Sequence, residues 1–327
     1  MADQFVILKP YGNVDWERQE FSHLAEVRNP HILSETEFVR EIRDVHLLIA
    51  DVDINVTPTV LAAANRLRAV VCASTGVDFV DLPGATRTGI VVTNLPDYCV
   101  EAVAEHALAL LSCLCRQIVA GVNAVREGNW GRRRDFEGIE LEGKTLGIVG
   151  LGKIGKRVAE RAQALGMRII FYDPFVSTDF IRDSGYERKD TLLDLAKDSD
   201  GISVHASLSA GTSRMFGEEE FKHMKPSAYF VNVARGGIVD EGALYRAVNE
   251  RWIAGAALDV LTDEPPARDC GLLKLDNIIV TPHLAYNTRE AKEKARRQLK
   301  EIITSIIDGH DPTNVINPEV KRRWSGA

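Results

Sequence analysis

A chain of 327 residues has room for about two domains, each with a core of its own. With 45% hydrophobic residues, 27% charged residues and a net charge of −7, the composition is that of an ordinary globular protein, and its acidic balance argues against a broad nucleic-acid surface. The five cysteines are odd in number and include no C-x-x-C pair, which argues against a disulfide framework or a zinc cluster and fits reduced thiols in a cytoplasmic protein.

The opening stretch MADQFVILKPYG has no basic region followed by a long apolar run, so no secretory leader is expected. Residues 5–8, 47–50, 69–73 and 90–93 are short apolar runs that predict strands, with helices over 58–66 and around 82–88. Continuous apolar strands alternating with helices predict a parallel sheet covered on both faces. Ser74, Thr75, Gly76 and Val77 follow one of these runs directly, at the strand end where ligands gather in such sheets. An ordinary strand-to-helix turn is the competing reading. Residues 100–119 predict one long helix linking two domains. Its most apolar part, 102–115, is too short to span a membrane and carries Glu105 and His106. The run Trp130-Gly131-Arg132-Arg133-Arg134 is either a solvated charge cluster or, so close to the stretch that follows, an anion-binding loop.

That next stretch, KTLGIVGLGKIGKRVAERAQALGMRIIFYD, is the most informative in the chain. An apolar run leads into Gly150, Gly152 and Gly155, then an amphipathic helix, a second apolar run and Asp173. In such a turn the first glycine permits the bend, the second lets backbone approach a pyrophosphate, and the third lets helix pack on strand. The helix N-terminus offers N–H groups to phosphate, and Asp173 stands where an acid would accept bonds from a ribose. A purely structural glycine turn is the alternative. From residue 145 onward six apolar runs, 146–149, 169–172, 201–204, 229–233, 255–258 and 278–280, predict a doubly wound dinucleotide fold. Arg235 follows the fourth run, Asp259 ends the fifth with Glu264 just beyond, and His283 follows the sixth. An arginine, two acids and a histidine at three successive strand ends predict one chemical site. Residues 289–307 predict a closing amphipathic helix, stopped at Asp308-Gly309.

The stretches STGVDFVDL, GLGKIGKRVA with FYDP, VNVARGGIVDEGAL, GAALDVLTDEPP and TPHLAYNT, in that order, resemble the D-isomer-specific 2-hydroxyacid dehydrogenases over essentially the whole chain. The resemblance implies a Rossmann-type NAD domain, residues 100–286, inserted into a smaller flavodoxin-like α/β substrate domain of residues 1–99 plus 287–327. It implies a homodimer built through the NAD domain. It places NAD against Gly150, Gly152, Lys153, Ile154, Gly155, Asp173, His205, Ala234, Arg235, Asp259 and His283. The small acid would lie against Ser74, Thr75, Gly76, Val77, Arg235, His283 and Tyr286. No metal, nucleic acid or membrane partner is implied.

As the resemblance has it, His283 would exchange a proton with the substrate oxygen, and Glu264 would pair with the imidazole and hold its orientation. Arg235 would grip the carboxylate and polarise the C2 oxygen. Asp259 would orient the nicotinamide amide, and Asp173 would disfavour a cofactor carrying a 2′-phosphate. Within the family the look is nearest to the phosphoglycerate-dehydrogenase branch, yet Asp51 and Cys72 stand where arginines would help hold a phosphate. Tyr286 stands where a small residue is usual, as in the corepressor-type relatives. A small 2-hydroxy or 2-keto acid without that phosphate is therefore expected, with an NAD-regulated binding protein of the corepressor type as the alternative.

Overall fold

A computed structural model describes residues 4–323 and divides into two units, Met1–Tyr98 with Arg289–Ala327, and Cys99–Thr288. The first unit begins β1 (Phe5–Leu8), α1 (Asp15–Phe21), β2 (Ala25–Arg28), α2 (Glu35–Glu41), β3 (Leu47–Ala50), α3 (Pro58–Ala63), β4 (Ala69–Cys72), α4 (Leu82–Arg87) and β5 (Val91–Thr93). Its strands form one parallel sheet in the order β2-β1-β3-β4-β5, the flavodoxin-like winding. Every residue of β3, β4 and β5 is buried, as continuous apolar strands covered on both faces require. The sequence predicts four of these strands and misses β2. Only Ala25 of AEVR is buried, so an edge strand carrying charge leaves no apolar run to detect.

The second unit runs α5 (Val100–Cys115), α6 (Ile118–Arg126), a 3-10 turn at Trp130–Arg134, β6 (Thr145–Val149), α7 (Lys153–Ala164), β7 (Arg168–Tyr172), α8 (Thr178–Ser184) and β8 (Glu187–Arg188). It continues α9 (Leu192–Asp198), β9 (Gly201–Val204), α10 (Glu218–His223), β10 (Tyr229–Asn232), α11 (Glu241–Asn249), β11 (Gly255–Leu258) and β12 (Ile278–Val280). The sheet order is β12-β11-β10-β9-β6-β7-β8, all parallel, so the winding reverses between β6 and β9. Carboxyl ends of strands beside such a reversal leave a crevice for a ligand. The six apolar runs are six of the seven strands. The seventh, β8, is two exposed charged residues and has no hydrophobic signature. Beneath the sheet Phe216, Phe221 and Phe230 are fully buried, with Phe230 packed edge-on at 4.9 and 5.2 Å from the other two rings.

The single long helix expected over 100–119 is two helices meeting at 63°. Gln117 turns left-handed (φ 50°) between them, the Cys115 carbonyl accepts the Ile139 amide at 2.8 Å, and Gln117 Nε2 donates to Glu137 O at 2.9 Å. A loop thus closes the end of α5, and the chain is redirected where an unbroken apolar pattern suggested continuation. No single described helix is long and apolar enough to cross a membrane.

The last helix, α12 (Arg289–Ile307), belongs to the first unit, where it packs against β4 and buries Ala291, Leu299, Ile302, Ile303 and Ile306. The segment after it covers the open edge of β5. Asn317, 2% exposed, accepts from Val92 N at 2.8 Å and donates to Ile90 O at 3.0 Å, and Ile316 N donates to Val92 O at 2.8 Å. Backbone groups that would otherwise template another strand are paired in this way.

Candidate active site

The glycine turn stands at the reversal point. Gly150 follows β6 at φ 87°, and a Cβ there would come within 2.6 Å of the Ala206 nitrogen on the neighbouring strand's exit. A Cβ on Gly155 would overlap the Gly150 carbonyl, so only glycine lets α7 start this close to the strand. Gly152 differs: nothing lies within 4 Å of its missing Cβ, which leaves its backbone open to an approaching group. Gly152 caps α7 without a side-chain bond, and the first amides of any helix have no acceptor within it. Together with the helix dipole they suit a pyrophosphate.

Asp173, just past β7, ties the turn down. Its Oδ2 accepts from Leu151 N and its Oδ1 from Phe175 N, both at 2.8 Å, and each oxygen keeps a lone pair for a ribose hydroxyl. His205 follows β9 across the reversal. Its Nε2 lies 2.8 Å from Ser203 Oγ, whereas Nδ1 is buried and has no partner among the described residues. Burial pushes the ring's pKa down to about 3, so it is neutral. An open backbone at Gly152, a helix N-terminus and an orphaned ring nitrogen fit a dinucleotide.

The chemical residues lie on the exits of β10, β11 and β12. Ala234 and Arg235 follow β10 in a loop closed by Asn232, whose Oδ1 accepts from Ala234 N at 3.0 Å and whose Nδ2 donates to Arg235 O at 2.9 Å. Glu264 Oε2 lies 2.6 Å from His283 Nδ1, and its Oε1 accepts from Leu261 N at 3.0 Å. Burial works to raise the Glu264 carboxyl. The His283 hydrogen bond and charge, the Leu261 amide and the Arg235 charge outweigh it and hold the group below the usual carboxylate range. His283 is therefore oriented through Nδ1, with Nε2 left for a substrate. Its backbone is left-handed (φ 47°), a conformation that costs a non-glycine residue about 1–3 kcal/mol and persists only when its surroundings impose it. The Tyr286 ring stands edge-on to the imidazole at 6.2 Å.

Asp259, 1% exposed, is tied to the segment after β12. Oδ1 accepts from Thr281 Oγ1 at 2.5 Å and Leu284 N at 3.0 Å, and Oδ2 accepts from Ala285 N at 2.8 Å. Burial alone would raise its carboxyl; the hydrogen bonds from His106, Thr281, Ala285 and Leu284 lower it instead. Thr281 opens the TPHLAYNT stretch without being singled out there, and His106 lies in no motif. The only signal is that His106 places an ionisable ring on α5 among residues that are otherwise mostly apolar and buried.

A pH dependence follows. Glu264 and Asp259 both have folded pKa values below their unfolded ones, about 4.3 and 3.9. Their contribution to stability is therefore complete above those values and lost as pH falls through the folded ones. Glu264→Gln should melt below wild type at pH 7, and the gap should narrow as pH falls below about 4.3 in melting scans. A gap independent of pH would show that the Glu264 charge contributes nothing.

In the first unit, residues 74–77 follow β4 in a braced loop. Ser74 Oγ donates to Gly76 O at 2.7 Å, Thr75 Oγ1 to Leu95 O at 3.1 Å, and Asn94 Nδ2 to Thr75 O at 2.5 Å, with Val77 packed on that unit's core. Asp51 follows β3; burial and then the neighbouring Asp53 raise its carboxyl. Cys72 is fully buried in the same core, and burial pushes its thiol up to about 12, so it is a packing residue. Of the basic run, Arg132 pairs with Asp135 at 3.0 Å and lies over the Phe136 ring.

The family model for the NAD-binding domain of D-isomer specific 2-hydroxyacid dehydrogenases matches residues 108–285. The D-3-phosphoglycerate dehydrogenase of Methanocaldococcus jannaschii is 41% identical over 285 residues, which are 87% of this chain and 54% of that protein. The glyoxylate reductase of Korarchaeum cryptofilum is 39% identical over 285 residues, 86% of each chain. The crystal structure of D-lactate dehydrogenase from Aquifex aeolicus, complexed with NAD and lactic acid, superposes with a TM-score of 0.87 at 29% identity, covering 95% of this chain and 99% of that one. This chain thus spans about half the length of the phosphoglycerate dehydrogenases it matches. With the doubly wound sheet, the glycine turn at its reversal and the paired histidine and glutamate already in view, these matches show that the chain belongs to the D-isomer-specific 2-hydroxyacid dehydrogenase family.

Proposed function

We propose that this protein is an NAD-dependent oxidoreductase that interconverts a small D-2-hydroxy acid and its 2-keto acid. The observation that carries the reading is the 2.6 Å pair of Glu264 with His283 Nδ1, in the same unit as a turn fitted to a dinucleotide. NAD, when bound, supplies the hydride acceptor in oxidation and, in its reduced form, the donor in reduction. His283, charged and held by Glu264, gives a proton from Nε2 to the oxygen forming at C2, and in the reverse direction takes the hydroxyl proton back. Arg235 binds the carboxylate and steadies negative charge on the C2 oxygen. Tyr286, edge-on to the imidazole, is assigned to the wall of the substrate pocket.

The substrate we favour carries no phosphate. Supporting this are the partly buried acid Asp51 at the end of β3 and Cys72 sealed in the core. An acid repels a phosphate where a cation would attract it. The test is an NADH-absorbance screen over glyoxylate, hydroxypyruvate, pyruvate and phosphohydroxypyruvate. Turnover of an unphosphorylated acid is expected, with NADH used at least about tenfold better than NADPH because Asp173 repels a 2′-phosphate. Phosphohydroxypyruvate as the best substrate would overturn the substrate assignment, and silence on all four would favour an NAD-regulated binding protein.

We assign the protein to the cytoplasm on the strength of its five free thiols, and to a homodimer through the second unit. Ile118, Val119, Val122 and Val125 form an exposed apolar stripe along α6, which suits an interface between copies. Light scattering should give a dimer for wild type and a monomer for Val122→Glu. A dimer in both would remove α6 from the interface.

A further inference from the structure

We infer that Glu241 is a positioning residue for the Glu264–His283 pair, acting through the Leu261–Thr262 peptide, against which the Arg235 loop also packs. The inference rests on the activity proposed above for that pair. After β11 the chain bends through Leu261-Thr262-Asp263-Glu264, and Glu264 closes the bend on itself. Its Oε1 accepts from Leu261 N at 3.0 Å while Oε2 lies 2.6 Å from His283 Nδ1. Where the backbone of residues 261–262 goes, the carboxylate goes with it, and the imidazole follows the carboxylate.

Two groups hold that peptide. Thr262 N donates to Glu241 Oε1 at 2.5 Å. Gly236, the residue after Arg235, packs on the same unit: a Cβ there would overlap Leu261 C, Leu261 O and Thr262 N, three atoms of one peptide bond. Both groups belong to the stretch between β10 and α11, which is itself anchored. Asn232 bonds Ala234 N and Arg235 O at its start, and fully buried Phe216 donates from its N to Ile238 O at 3.2 Å and accepts from Asp240 N at 2.9 Å. One stretch therefore carries the arginine and grips the peptide that aims the histidine. An acid in the first turn of a helix is ordinarily a partner for the helix dipole. Here Asp240 already caps α11, its Oδ1 accepting from Ala243 N at 3.0 Å, and Glu241 spends an oxygen on an amide 21 residues away. Because Asn232 and Phe216 fix the Arg235 loop without Glu241, the effect of Glu241 runs to Glu264.

The test uses Glu241→Ala and Glu241→Gln, with Glu241→Ala also placed in a Glu264→Ala background. The readouts are kcat, NADH affinity from fluorescence and hydrogen exchange at the Leu261 and Thr262 amides. Glu241→Ala should lower kcat by about 10-fold, short of the roughly 100-fold cost of a 1 Å misplacement, because Gly236 still holds the peptide. NADH affinity should stay within about twofold of wild type. Glu241→Gln, whose amide oxygen still accepts from Thr262 N, should recover most of kcat. With Glu264→Ala there is no carboxylate to place, so adding Glu241→Ala should change kcat by less than about twofold. A purely structural role would cost the same in both backgrounds. Glu241→Ala should lose exchange protection at both amides and Glu241→Gln should keep it. That readout needs no turnover, so it judges the clamp even if the proposed activity fails. Unchanged protection at Leu261, or unchanged kcat where wild type turns over, would overturn the inference. An equal loss in the Glu264→Ala background, or a loss of NADH affinity in step with kcat, would do the same. If Glu241→Ala does not fold, Glu241→Asp, one methylene shorter, decides by the same measurements.

Discussion

His283→Ala should lower kcat by about 100- to 10,000-fold, the range for removing a positioned general acid–base group, while NADH binds within about twofold of wild type. The split follows from where the residue stands. The dinucleotide turn is built on β6 and α7, and Asp173 and Leu151 hold it by bonds that His283 does not share. The imidazole is held from behind by Glu264 at 2.6 Å, so its loss removes a proton donor and leaves the glycine turn untouched. Stopped-flow or steady-state assays in both directions would read the change. A variant that kept near-normal turnover would end the proton role. An equal fall in kcat and NADH affinity would instead place His283 chiefly in cofactor binding.

Glu264→Gln separates orientation from charge at the same site. The amide can still accept from the Leu261 amide, which now reaches Oε1 at 3.0 Å, but it offers the imidazolium no full negative charge. The same charge carries the acid-dependent part of the stability argued above, so kinetic and melting data on one variant examine one interaction twice.

What could be read in the sequence and what could not divide along physical lines. Strands buried on both faces, such as β6 and β10, leave runs of apolar residues and were legible, as was the glycine turn that only a Cβ-free backbone can make. Strands β2 and β8 lie at sheet edges with charge in them, and periodicity is silent there. The break between α5 and α6 was hidden because the contacts that cause it come from residues 137–139, some 20 positions away in the chain. At the site, Arg235, Glu264 and His283 could be singled out because each lies a few residues beyond the end of an apolar run. The partnership of Thr281 with His106 could not be read, since it lies in a 3.2 Å contact across 175 residues.

Arg235→Ala should cost about 100- to 1,000-fold in kcat/KM, with the keto-acid KM rising and kcat falling together, because one side chain is assigned both the carboxylate and the charge growing on the C2 oxygen. The loop gives the side chain little freedom. Asn232 clamps the backbone on either side of it, and Arg235 Nη1 donates to Ala234 O at 2.9 Å. A Cβ on the next residue, Gly236, would overlap the Leu261 backbone, so only glycine lets this loop close on the segment whose amide holds Glu264. The guanidinium charge already contributes to lowering the Glu264 carboxyl, which places it within electrostatic reach of the histidine pair. Arg235→Lys should recover little, since a point charge on a flexible stem cannot reproduce a planar fork set to a carboxylate. Added guanidinium ion should restore part of the Arg235→Ala activity and none of that lost in His283→Ala. A loss below about tenfold in Arg235→Ala, with no rescue, would move the arginine from the substrate to the support of Glu264, and its effect would then appear in the acid stability of the fold.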